Sequence, residues 1–319
     1  MARVSVILPA YKKSFLQEAI ESILSQSYRD FELVVVDDAS PENLKEVVDE
    51  FSDSRLSYHR NEKNLGGKSL VDAWTHAMQY ATGTFCVLAS DDDIYHQDYL
   101  KEMIMLSEKY PSVDIFHCRT GNINANGKIS SYGDCHYEYE TCLEFLYFRG
   151  VKRYTQIAPD FMFRIDAWKN IGGFVDFPVA YFSDDATWFS LALKNGIVCS
   201  KKMLFLARNS GINISNSTGN SVPKVEATLA FMDWSKTFLR KIIPSNEEEQ
   251  QLKDFVANRL YHTNYFFILY LTQFAFWKEF IQIVKILNKK DKFIRNGVIK
   301  QRIKMNLDKL VHFFSFGKL

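Results

Sequence analysis

Four short runs of β-branched and aromatic residues, alternating with segments of helical periodicity, set the strongest limit on how this chain can fold. RVSVIL (3–8) and FELVVV (31–36) are too short and too uniformly apolar for surface helices, and read as strands buried on both faces. Between them Leu16, Ala19, Ile20, Ile23 and Leu24 recur at the spacing of an amphipathic helix, with Ser14 placed to cap it. RLSYH (55–59) and TFCVLA (84–89) bracket a second helix over 68–81. The alternation predicts an α/β fold, an open and mostly parallel sheet flanked by helices.

Open sheets of this kind bind ligands at the carboxyl ends of their strands. The loops there are PAYKKS (9–14), DDASPE (37–42), RNEKNLGGKS (60–69) and SDDD (90–93). None carries the G-x-G-x-x-G of a dinucleotide site or the G-x-x-x-x-G-K-[ST] of a P-loop, since NLGGKS lacks the earlier glycine. Gly66 and Gly67 nevertheless let backbone approach a phosphate, with Lys68 beside them as a point charge. Carboxylates close two strands, Asp37 and Asp38 after the second and Asp91, Asp92 and Asp93 after the fourth. A hard cation such as Mg2+ or Mn2+ takes one or two carboxylates plus phosphate and water oxygens, which gives an acidic cluster near a phosphate loop a chemical purpose. The plainer alternative is capping, for which Ser40 and Pro41 are well placed.

Beyond residue 112 the pattern loosens. VDIFHC is a further strand, GNINANGKIS reads as a hairpin about its Asn-Gly, and 132–182 is aromatic-rich and irregular. A helix over 184–195 is stopped by Gly196, and from 222 the pattern is helical with a charged break at 244–251. The expected organisation is a domain over 1–221, with halves 1–110 and 111–221, and a helical C-terminal region over 222–319. Five cysteines with no C-x-x-C pair argue against a disulfide framework and for a reducing, cytoplasmic setting. The N-terminus lacks the length and cleavage site of a signal peptide, and the most apolar later window, 265–277, is too short to span a bilayer. The net charge of +1 conceals ten Lys or Arg against two Asp over 285–319. Positive charge confined to one end, without a reader motif, argues against nucleic acid.

By these residues the chain resembles the family 2 glycosyltransferases, which have a GT-A type nucleotide-sugar-binding fold. The matching stretches are VSVILPAYKKSFLQEAIESILSQSYRDFELVVVDDAS, NEKNLGGKSLVDAW, GTFCVLASDDDIYHQDYL, FRIDAWKNIGGF and FSDDATWFSLALKNG, in the family's order over 3–215. The resemblance implies that Pro9, Ala10 and Tyr11 line the base pocket and that Asp38 accepts a hydrogen bond from the base. Lys68, Asp72 and Asp91 fall on the donor side. Aligning IYHQDYL with the family's usual IWHPDYL puts Asp92 at the metal-binding aspartate of the D-x-D motif, Ser90 at the first position, and Asp91 as helper to ribose or metal. Asp93 is a further contact or a cap for the helix that follows. Lys12 stands where the family commonly has Asn, and Asp72 replaces a frequent Asn.

The resemblance further makes Asp185 the general base, with Asp184 before it and Trp168 and Trp188 as acceptor-side stacking platforms. The reaction it implies is inverting transfer of a hexosyl or N-acetylhexosaminyl group from a nucleoside-diphosphate sugar, UDP-linked by expectation, with Mn2+ or Mg2+ as cofactor. The acceptor is a glycan or lipid-linked hydroxyl. The departures leave a catalytically inactive nucleotide-sugar or glycan-binding scaffold as the alternative, and a nucleotidyltransferase as a weaker one. Phe255, Leu260, Phe266, Phe267, Leu271, Phe274, Trp277, Phe280 and Ile281 suggest a broad apolar face ahead of the basic end. Over 255–319 this implies helices packed on protein, a homodimer, or peripheral contact with the inner face of a membrane.

Overall fold

A computed structural model describes residues 3–211, 221–273 and 275–316, with side chains described as far as residue 305. These residues divide into two compact units, one within 1–176 and 183–214, the other within 177–182 and 215–319.

The first unit is a ten-stranded sheet with flanking helices. In chain order its first half runs β1 (Val4–Ala10), α1 (Leu16–Leu24), β2 (Phe31–Asp37), α2 (Leu44–Val48), β3 (Leu56–Arg60), α3 (Leu70–Ala77), β4 (Phe85–Leu88), β5 (Ile94–Tyr95) and α4 (Tyr99–Lys109). The second half runs β6 (Ile115–Asn124), β7 (Ile129–Tyr132), β8 (Tyr139–Glu140), α5 (Cys142–Phe145), β9 (Phe161–Arg164), α6 (Ile165–Asn170), α7 (Ser183–Ala192) and β10 (Ile197–Asn209). Spatially the order is β3-β2-β1-β4-β9-β6-β10-β5. β3, β2, β1 and β4 are parallel, β9 runs antiparallel to both its neighbours, and β6 with β10 is parallel again. The core is the apolar content of the first strands and α1 closed against α4, with Leu8, Leu33, Val35, Val87 and Met103 all buried.

β1 extends further than its apolar run suggests and takes in Pro9 and Ala10, paired with Val36 and Asp37. A proline is tolerated there because β4 pairs only as far as Ile7, so the missing N–H would have faced no strand. Ser14 does not cap α1, which starts at Leu16 behind Phe15 with no side-chain cap. α2 starts later than the Ser40-Pro41 signal implies, behind Asn43.

The second unit consists, among described residues, of α8 (Ser221–Leu239), α9 (Glu247–Gln273), α10 (Trp277–Lys290) and α11 (Lys292–Phe316) with residues 177–182. Its core joins Leu229 and Met232 of α8, Ile268 of α9, Ile283 and Leu287 of α10, and Ile294 and Val298 of α11. Leu287, Ile294 and Val298 of the basic segment are thus part of a helical core. Residues 177–182 pack here through Phe182 stacked on Phe231, centroids 4.6 Å apart, and Tyr181 on Phe267 at 5.8 Å. Of the apolar face expected over 255–281, Leu260, Leu271 and Phe280 are buried, whereas Phe255, Phe266, Trp277 and Ile281 are exposed. Phe274 and the side chains of the closing LVHFFSFGKL lie outside the described residues.

Candidate active site

The carboxylates at the strand ends have unequal roles. Asp37 is fully buried and accepts from the Ser40 N–H at 2.8 Å, the Tyr58 hydroxyl at 2.5 Å and the Arg60 guanidinium, so it is a structural anchor. Asp38 organises the glycine loop instead. Its Oδ1 accepts from Asn61 Nδ2 at 2.7 Å and Leu65 N at 2.9 Å, and its Oδ2 from Gly66 N at 2.7 Å. A Cβ on residue 66 would stand 3.1 Å from that oxygen, which explains a glycine where φ is unexceptional. Lys68 and Asp72 are exposed, and the Asp72 N–H is held by Ser69, the cap of α3, at 3.0 Å. Tyr11 is 43 % exposed at the mouth of this edge.

The triplet after β4 is buried and fully engaged. Asp91 Oδ2 accepts two backbone N–H groups, from Tyr11 and Lys12, each at 2.8 Å, and so pins the β1–α1 loop. The Lys12 ammonium sits 3.2 Å from Asp92 Oδ2 and 3.9 Å from Asp91 Oδ1. Asp93 does not cap a helix: its carboxylate takes the Ser90 hydroxyl and, at 2.7 Å, the backbone N–H of Arg208. Burial, with Asp92 adding repulsion, pushes the Asp93 carboxyl up to about 7. Arg208, at the end of β10, also donates through Nε to the Asp92 carbonyl at 2.8 Å and through a terminal nitrogen to Glu18 at 2.6 Å. Sequence reading missed this arginine, whose only signal is a cation closing the apolar run MLFLA.

A divalent cation fits this place. The Lys12 ammonium already stands there as an internal cation against two carboxylates, and Asp92, with Asp91, would hold an ion that draws its other ligands from phosphate and water. Among the described residues no group of three or more His, Cys, Asp or Glu is arranged to hold a metal ion by itself.

The second acidic group opens α7. Asp185 is buried, and its Oδ1 accepts from Arg149 Nε at 2.7 Å and Gln156 Nε2 at 3.2 Å, while Oδ2 accepts a second Arg149 nitrogen at 3.2 Å. Arg149 is steadied by the Tyr154 carbonyl at 3.0 Å. Burial works against the Arg149 charge, and Asp185 beside it more than offsets this, so its pKa lies above the usual value. Burial, then Asp185, pushes Asp184 upward. The same burial raises Asp160 to about 8, though its Oδ2 accepts the Thr120 hydroxyl at 2.5 Å. Tyr95, two residues past Asp93, donates to the Pro159 carbonyl at 2.7 Å, which ties the triplet to the turn carrying Asp160. Arg149 and Gln156 were not anticipated either; a basic residue inside the aromatic run FLYFRGV was the available sign.

The tryptophans do not serve as expected. Trp188 is 1 % exposed, stacked on Phe161 at 5.1 Å and packed on Phe163 at 5.2 Å, so neither ring face is open to a sugar. Trp168 is buried against Phe174 at 5.1 Å. Both belong to the aromatic core, Trp188 through Phe161 and Phe163 of β9 and Trp168 through Phe174.

A parallel βαβ half with its ligand loops at the strand ends, continued by a mixed half and helices, is a GT-A-like fold. The profile described as Glycosyl transferase family 2 matches residues 5–171, and the chain belongs to that family. Among curated relatives, it is 36 % identical over 107 residues to the UDP-Glc:alpha-D-GlcNAc-diphosphoundecaprenol beta-1,3-glucosyltransferase WfgD of Escherichia coli, a match covering 33 % of this chain and 41 % of that protein. The match to the putative glycosyltransferase EpsE of Bacillus subtilis is 32 % identical and covers 34 % of this chain and 39 % of that one. Among solved structures, S. aureus TarS 1-349 in complex with UDP-GlcNAc shares the fold with a TM-score of 0.64 at 18 % identity, over 94 % of this chain and 89 % of that one. The mannosyltransferase PcManGT from Pyrobaculum calidifontis, in complex with GDP-Man and Mn2+, gives 0.57 at 15 % identity, over 94 % and 84 %.

Proposed function

We propose that this chain is an inverting glycosyltransferase that moves a hexosyl or N-acetylhexosaminyl group from a UDP-sugar to a hydroxyl of a glycan or lipid-linked acceptor. The observation that carries the reading is the buried Asp185 carboxylate, clamped by Arg149 at the start of α7 in a chain of this family. Oδ2, with one contact to Arg149, keeps accepting capacity for a hydroxyl proton. As the acceptor oxygen bonds to the anomeric carbon from the face opposite the diphosphate, Asp185 takes its proton. The bond to the diphosphate oxygen breaks and its electron pair leaves with the nucleotide. Arg149 and Gln156 fix the carboxylate's orientation, while Asp38, through Leu65 and Gly66, sets the backbone of the donor loop. A divalent cation held by Asp92, when bound, supplies positive charge to the departing diphosphate.

A lipid-linked acceptor is supported by the diphosphoundecaprenol-linked acceptor of the WfgD relative, and it would bring the reaction to a membrane surface. No described helix is long and apolar enough to cross a membrane. The surface we assign to such contact is that of the exposed aromatics and basic residues of the second unit. The test is a screen of nucleotide sugars with Mn2+ or Mg2+, scoring nucleoside-diphosphate release, with Asp185→Asn as control. Release from a UDP-sugar that Asp185→Asn abolishes supports the reading; no release with any donor and acceptor pair favours a binding scaffold.

A further inference from the structure

We propose that Lys12 is an internal counter-ion: its ammonium holds the cation position between Asp91 and Asp92, and a divalent metal binds this chain by exchanging with it. Three features of the site carry this. First, the ammonium lies within ion-pair distance of both carboxylates, 3.2 Å from one and 3.9 Å from the other. Second, the other acceptor oxygens nearby are committed, Asp91 Oδ2 to the Tyr11 and Lys12 amides and Asp93 to Ser90 and Arg208, so an incoming ion meets the same Asp91 and Asp92 oxygens that Lys12 faces. Third, the lysine can leave without the loop moving. Its backbone N–H is anchored to Asp91 at 2.8 Å, its side chain is 26 % exposed, and a lysine stem is a flexible four-carbon tether.

The exchange has a thermodynamic consequence. Metal binding must displace a like charge that already neutralises the site, so affinity for the free ion is set by Lys12 as much as by the carboxylates. The displaced ammonium, tethered at the mouth of the strand edge, is then available to a phosphate group. Asparagine at this position, common in the family, would offer no such competition.

This rests on reading 90–93 as the cation position of the donor site, but not on sugar transfer, so the test uses Mn2+ alone. Mn2+ titrations of the full chain, followed by electron paramagnetic resonance and calorimetry, compare wild type with Lys12→Met, Lys12→Gln and Lys12→Arg. Both uncharged variants should bind Mn2+ at least about tenfold tighter than wild type, the effect of removing one like charge a few ångströms from the ion. Lys12→Arg should stay weak, and Asp92→Asn introduced into Lys12→Met should abolish the gain. Equal affinity in wild type and both uncharged variants, or no Mn2+ binding by either of them when folded, overturns the proposal. Absence of transferase activity in every variant would count against the enzyme reading and leave the titration result intact.

Discussion

At the scale of single residues, neighbouring carboxylates differ through what surrounds them. Asp37 and Asp38 are adjacent in sequence, yet one is saturated by Tyr58 and Arg60 while the other orders a loop of backbone amides. Asp185 is held by Arg149, 36 positions earlier in the chain, a partner that folding and not local spacing delivers to it. Replacing Asp185 by Asn should leave donor affinity at the wild-type level and lower the transfer rate by about 10²–10⁴-fold, the usual worth of a general base; calorimetry with UDP and a product assay separate the two. Arg149→Met should destabilise the fold by about 3–5 kcal/mol, because it leaves a buried carboxylate without its cation, and denaturant unfolding measures that loss. Asp160 has the opposite character. Its folded pKa of about 8 lies above the unfolded value, so between the two only the folded chain holds the proton, and stability falls as pH rises through that window. Asp160→Asn should therefore gain stability relative to wild type from pH 5 to pH 8, by at most about 1.4 kcal/mol per pH unit, in paired thermal or denaturant melts.

At the scale of elements, the loops are shaped by close approach and by strain. The loop over 60–69 wraps Asp38, and Gly66→Ala would push a methyl group against Oδ2 at 3.1 Å. That variant should bind UDP several-fold more weakly, by the loss of about 1 kcal/mol of loop hydrogen bonding, with little change in unfolding temperature. Ahead of α7, Val179, Ala180 and Phe182 all have left-handed backbone, with φ of 53°, 55° and 68°. Such residues cost about 1–3 kcal/mol each and persist only where surroundings impose them, which here includes the stacking of Phe182 on Phe231. The strands and helices of the first half were legible because apolar periodicity and β-branched runs are local signals. Helix starts were less so: Ser14, Ser40 and Asp93 all look like caps, and each is overridden by tertiary partners or a later helix start.

At the scale of the whole molecule, the C-terminal region has a core of its own. Leu287, Ile294 and Val298 are buried in it, so deleting 285–319 would remove structure and not merely charge. The informative change is on the surface, where Phe266, Phe276, Trp277 and Phe293 are each more than 60 % exposed or at 60 %. Substituting Phe276 and Trp277 by Ser should cut co-sedimentation with anionic liposomes several-fold while leaving the melting temperature within a few degrees, since solvent-exposed side chains away from the core contribute little to stability. Unchanged liposome binding, or a shift in oligomeric state instead, would assign that face to protein contact.

The sequence by itself determined the α/β alternation, the strand-end loops and the family, because those signals are carried by neighbouring residues and by motifs in a set order. It also singled out Lys12 as a departure from the family's pattern. Only the tertiary structure decided that Lys12 faces Asp92, that Arg208 and Arg149 reach the acidic groups, and that both candidate tryptophans are core. The reason is physical: a side chain's charge and shape are written locally, but its partner is set by packing between segments far apart in the chain, where burial makes an unpaired charge too costly to leave.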